Sequence, residues 1–135
     1  RLKAMILSIS EHIYKVLSTT SALVALVGDR IYPLGTKSEV SFPFLVYERD
    51  NVEVDYDKAA RRTAIVDVSI YCVSDTYTQS LTLAEIVVNA LDKVEASYTG
   101  FNVVDAHLSA ASEDFVENTF VQRINFRFQI TENNG

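Results

Sequence analysis

Two histidines, one cysteine and a few closely spaced carboxylates are the side chains of this chain best suited to chemistry. His12 or His107 could act as a general acid–base group if folding brought a carboxylate to it, because catalytic triads are assembled in space and not in sequence. The same histidines and Cys72 could offer nitrogen and sulfur to a metal, but no short ligand spacing joins the three. Cys72 alternates with Ile70, Val68, Val66 and Ala64, which places it on the apolar face of a strand as a buried thiol. A single cysteine makes no internal disulfide. Asp55 and Asp57 share one face of a strand as paired carboxylates, but a solvated edge is the ordinary explanation. There is no glycine-rich phosphate loop, no GxSxG, no HExxH and no CxxC. The sequence therefore predicts no catalytic residue, no metal, no cofactor and no enzyme. The alternative is a small α+β enzyme or ligand-binding module of unknown substrate. It requires a concave site that gathers His12 or His107 with a carboxylate.

The elements that would have to position such groups are written in the hydrophobic pattern. Ala64, Val66, Val68, Ile70 and Cys72 recur at every second residue, the period of a strand. From Thr76 the period becomes helical, with Tyr77, Leu81, Ala84, Val88 and Leu91 on one flank and Leu83, Ile86, Val87, Ala90 and Val94 on another. That arc is too wide for one sheet to cover, so a second helix or a second subunit must lie beside it. Met5, Ile6, Ile9, Ile13, Val16 and Leu17 form an amphipathic stripe near the N-terminus. Residues 18–21 interrupt it and cap a short helix over 22–27, which Gly28 can end in a left-handed conformation.

Residues 44–56 read as a strand that turns through Lys58, Ala59 and Ala60 into the central strand, forming a long hairpin with a charged tip. Residues 97–100 read as a turn. Residues 103–113 alternate Ala106, Leu108 and Ala110 with Asp105, His107 and Ser109, and residues 114–118 turn the chain. The last strand directs Phe120, Ile124, Phe126, Phe128 and Ile130 to the core and Arg123, Asn125, Arg127 and Gln129 away from it. The predicted fold is α+β: an antiparallel sheet of about four strands with a long hairpin, and helices packed on one face.

A chain of 135 residues with 48% apolar content suits one domain over residues 1–135, with 132–135 as a frayed tail. Twelve basic and eighteen acidic residues give a net charge of −6, which argues against nucleic-acid binding unless the cations cluster on one face. No apolar run approaches the roughly 18 residues of a membrane span. The basic, apolar start is broken by Ser8, Ser10, Glu11 and Lys15, unlike a secretory signal, so the chain reads as cytoplasmic in origin.

Two segments carry a resemblance. Val27-Gly28-Asp29-Arg30-Ile31-Tyr32-Pro33 follows the short helix, and after a polar loop comes Phe42-Pro43-Phe44-Leu45-Val46-Tyr47-Glu48-Arg49. This order resembles the tail-completion proteins of long-tailed bacteriophages and prophages, a family that includes tail terminators and long carried a domain-of-unknown-function label. The remaining layout agrees: a strand ending Ile70-Tyr71-Cys72, a long helix and a closing hairpin rich in phenylalanine. The residues themselves also have a plain reading in the fold, with Gly28 ending a helix and Pro43 opening a strand.

The resemblance implies a structural virion protein that caps the head-proximal end of the tail tube, stops its growth and forms the joint to the head connector as a ring. Its implied partners are further copies of itself, the tail tube protein and a head-completion or connector protein, with no nucleic acid and no membrane. Its implied place is the neck region of the tail, reached from the host cytoplasm during assembly. The hairpin tip is acidic on the outgoing arm and basic on the returning arm. Asp55, Asp57, Lys58, Arg61 and Arg62 are therefore the candidate contacts to a neighbouring subunit or to the tube.

Overall fold

A computed structural model describes residues 7–36, 39–56 and 62–133. Three helices, α1 (Ile9–Ser18), α2 (Ser21–Val27) and α3 (Tyr77–Leu91), accompany six strands. These are β1 (Ile31–Pro33), β2 (Phe44–Tyr56), β3 (Arg62–Ser74), β4 (Ala96–Tyr98), β5 (Phe101–Val116) and β6 (Thr119–Glu132), in sheet order β1-β2-β3-β6-β5-β4.

The α+β class stands, but the antiparallel sheet of about four strands is corrected to a mixed sheet of six. β1 runs parallel to β2, and β4 adds to the far edge beside Phe101–Val103. Each of the two extra strands has three residues, too few to display a period of two. The segment read as a turn at residues 97–100 thus begins as strand, and Gly100 makes the turn at φ +96°. The long hairpin is present: β2 and β3 pair from Phe44↔Val73 to Tyr56↔Arg62, with one irregularity between Arg49 and Asn51.

The helix starts and stops follow local chemistry. The Thr76 side chain accepts a hydrogen bond from the Gln79 backbone N–H at 3.4 Å, capping α3. Gly28 ends α2 at φ +60°, where a β-carbon would be strained. The helix neighbour demanded by the wide apolar arc of α3 is supplied within the chain, since α1 and α2 both contact it. Leu83, Ala84, Val87 and Leu91 are buried, whereas Tyr77 and Leu81, expected on the main stripe, remain exposed. Met5 and Ile6 of the N-terminal stripe lie outside the described residues.

One core joins the layers. Ala64, Val66, Val68, Ile70 and Cys72 of β3 and Ile124, Phe126, Phe128 and Ile130 of β6 meet Ile13, Leu17, Leu83, Val87 and Leu91 of the helices. Every predicted inward residue of β6 is buried except Phe120, which lies near the hairpin turn with its ring edge-on to Tyr77 at the start of α3. β5 departs further from its pattern. Register shifts between Val103 and Asp105 and between Leu108 and Ala110 interrupt the alternation. Residues 107–116 are all exposed, so half of β5 extends beyond the core. Its turn is tighter than the five-residue segment expected: Val116 pairs with Thr119, and Glu117 and Asn118 both take positive φ, 52° and 64°. Asn133, read from sequence as frayed, hydrogen-bonds Gly100, Tyr98 and Asn102.

Candidate interaction surface

The residues with chemical potential are not gathered. Cys72 is fully buried, and desolvation pushes its thiol far above the usual range, leaving no thiolate to react. His12 is also fully buried, in the seam between α1 and the sheet, where its Nδ1 shares a 2.6 Å hydrogen bond with the Tyr98 hydroxyl. Its ring stands edge-on to Tyr98 and Phe128, and Nε2 has no hydrogen-bond partner among the described residues. Burial first, and Lys15 second, lower its pKa to about 4, so it is a neutral core group. His107 pairs with Asp105 at 3.2 Å, but both side chains are about half exposed on β5 and neither lines a cleft. No group of three or more potential metal ligands forms among the described residues.

The hairpin tip is only partly described: Asp57, Lys58 and Arg61 lie outside the described residues. Asp55 is exposed, and its carboxylate accepts the Tyr56 backbone N–H at 2.8 Å. Arg62 is engaged within the chain. Its guanidinium contacts Glu132 at 2.6 and 2.9 Å, tying β3 to the end of β6. Glu132 is the first cause of the rise in the Arg62 pKa. Sequence reasoning missed this tether because the two residues meet only through sheet register.

The sheet face opposite the helices carries a feature the linear pattern did not reveal. Ser69, buried on this face, accepts hydrogen bonds from Arg123 at 3.0 and 3.2 Å and from Asn125 at 2.8 Å, and donates to Asp50. Arg123 also lies over the Tyr71 ring, 5.7 Å from its centroid. The Tyr71 hydroxyl donates to Glu48 at 3.4 Å. Burial, and then the neighbouring Asp50, hold the Glu48 carboxyl above its ordinary pKa. Alongside, Arg127 pairs with Asp67 at 2.9 Å. The row Arg123 and Arg127, cationic in sequence, is thereby matched on this face by acceptors from the neighbouring strands.

Next to this network lies a cleft of about 1010 Å³ between the loop after β1 and the projecting half of the β5–β6 hairpin. Phe44, Val46, Val73 and Val121 contribute to its floor, and Phe42 stacks on Phe44 with centroids 5.8 Å apart. Glu39, Glu48, Asp114 and Glu117 are among its lining residues, and Arg123 is the one cation of the lining among the described residues. Apolar walls rimmed by carboxylates suit the binding of another chain.

The family model described as "Tail completion protein gp17" matches residues 11–132. Among solved structures, a chain of the "Virion of native gene transfer agent (GTA) particle" is similar in fold, with a TM-score of 0.77 at 21% identity. The match covers 90% of this chain and 92% of that one. No curated protein sequence matches.

Proposed function

This chain belongs to the tail completion protein gp17 family and is a structural protein of phage tail assembly, and on that premise we propose that it caps the head-proximal end of the tail tube. There it stops tube growth and forms the joint to the head connector, as a ring of copies at the neck of the virion. The observation that carries this reading is the family match over residues 11–132, nearly the whole domain. Assembly takes place in the host cytoplasm, and the chain meets the tail tube protein, a head-completion or connector protein and further copies of itself.

The direct test is deletion of the gene from a producing phage. Tails should be irregular or overlong and unattached to heads; normal virions would overturn the proposal. The hairpin tip, with Asp55, Asp57, Lys58, Arg61 and Arg62, is the proposed contact to the neighbouring subunit or tube. Reversing Lys58 and Arg61 to Glu should leave the circular dichroism spectrum unchanged and reproduce the deletion phenotype. Arg62 is left out of that variant, because Arg62→Glu would set a second carboxylate against Glu132 and confuse assembly with folding. Normal head-joined tails from the reversed protein would remove the tip from the contact while leaving the family role untouched.

A second expectation follows from charge. A component near a passing genome should not grip it, and the net charge of −6 together with the internal pairing of Arg123 and Arg127 provides no cationic track. The free protein should show no mobility shift of duplex DNA at physiological salt. Salt-sensitive binding at sub-micromolar concentration would contradict this.

A further inference from the structure

We propose that the cleft beside β2 and the projecting β5–β6 hairpin receives a cationic segment bearing apolar side chains, supplied by a different protein of the virion. The inference rests on the virion role proposed above for the identity of that source, and on the cleft's own chemistry for the class of occupant. Apolar side chains are called for by the floor of Phe44, Val46, Val73 and Val121, an aromatic and aliphatic sheet face that no helix covers. Phe42, on the approach to it, is 41% exposed. Such a surface gains by removal from water when a partner seats on it.

The cation follows from the rim. Glu39, Asp114 and Glu117 form no ion pair with any described residue, and Glu48 lies beside the Tyr71 hydroxyl, the Asp50 carboxylate and the Arg123 guanidinium without a salt bridge to Arg123. Arg123 cannot neutralise them all, because it is one positive charge against the lining carboxylates Glu39, Glu48, Glu113, Asp114 and Glu117. Among the described residues the cleft lining is therefore net negative, and a Lys- or Arg-bearing segment is its electrostatic complement.

A second copy of this chain is a poor source of that segment. Each copy carries a net charge of −6, so approach to an acidic cleft is repulsive. Most of the described cations are already engaged at home. Arg30 bonds the carbonyls of Pro43 and Leu26, Arg49 bonds that of Leu7, and Arg62 and Arg127 hold Glu132 and Asp67. The hairpin tip sets Asp50, Glu53, Asp55 and Asp57 on one arm against Lys58, Arg61 and Arg62 on the other and is close to charge balance. The complementary charge is therefore assigned to another protein.

The probe is a labelled synthetic peptide in which lysine alternates with valine and phenylalanine, compared with the same peptide carrying glutamate for lysine. The lysine peptide should bind the intact protein at low salt and the glutamate peptide should not. Glu39→Gln, Asp114→Asn and Glu117→Gln together should weaken binding by roughly tenfold or more. A control triple of equal charge change away from the cleft, Glu11→Gln, Asp75→Asn and Glu85→Gln, should leave the affinity within about twofold. Backbone NMR shifts on titration should concentrate at Val46, Val73 and Val121. Equal weakening by both triples, or shifts scattered over the surface, would show attraction to net charge only and overturn the proposal. Cleft shifts that grow with protein concentration in the absence of peptide would assign the cleft to a second copy and overturn the choice of partner. The virion role is judged separately by gene deletion, so a chain that is required for tail completion but ignores the peptide keeps that role and loses this one.

Discussion

Replacing Phe128 by alanine is expected to cost about 3–5 kcal/mol of folding stability, a large share of the roughly 5–15 kcal/mol that holds a typical domain folded. The ring is fully buried at the centre of β6, between the cross-strand partners Val66 and Ala106. It stacks on Phe126 at 5.9 Å and meets the edge of the His12 ring at 5.8 Å. Truncation removes apolar surface that was withdrawn from water and leaves a cavity bounded by elements from both layers, α1 above and three strands below. Neither layer can collapse into that space without shifting the other. Urea unfolding followed by circular dichroism measures the effect as a lower midpoint at an unchanged slope. Phe115→Ala provides the contrast. That ring is 57% exposed on the projecting hairpin, and its loss should change stability by less than about 1 kcal/mol. Similar midpoints for the two variants would mean that the core is not centred on β6.

The second large effect is a loss of stability in acid that originates at His12. In the unfolded chain the imidazole takes up a proton as pH falls through its ordinary value of 6.5. In the folded chain, burial and then Lys15 hold it neutral until about pH 4. Between these values the unfolded state binds more protons, so stability falls as pH is lowered through the window and is constant with respect to this group above it. The full difference corresponds to roughly 3 kcal/mol. His12→Phe keeps an aromatic ring against Tyr98 and Phe128 and removes the titration. The wild-type protein should lose stability relative to this variant between pH 6.5 and 4, and the difference should be flat at higher pH. Glu48, with its raised pKa, is present in both proteins and cancels from the comparison. Parallel stability curves for the two proteins across the window would show that His12 is not held neutral by the fold.

These two predictions use residues that differed greatly in how legible they were. The inward side of β6 could be read directly, because Ile124, Phe126, Phe128 and Ile130 repeat at the strand period and a period of two leaves only one face for the core. The same held for the central strand and for the helices, where Gly28 and Thr76 mark boundaries by local chemistry that needs no partner. His12 showed only as a neighbour of a helix stripe. Whether it faced solvent or the core depended on where α3 and Tyr98 came to lie, and no local rule contains that.

The order of segments, the central hairpin and the resemblance to tail-completion proteins were likewise determined by the sequence, since each rests on residues contiguous along the chain. Strand number was decided only by the tertiary structure. β1 and β4 are strands because β2 and β5 offer them an edge, and a three-residue segment carries no period of its own. The acidic cleft was decided in the same way: Glu39 comes from a loop, Glu48 from β2, Asp114 from β5 and Glu117 from the hairpin turn, brought together by sheet order. The commitment of Arg62 to Glu132 and of Arg123 to Ser69 also arises from register between strands separated by more than fifty residues. A charge read in the sequence is a free charge until cross-strand pairing assigns it a partner, and that pairing is a property of the folded sheet alone.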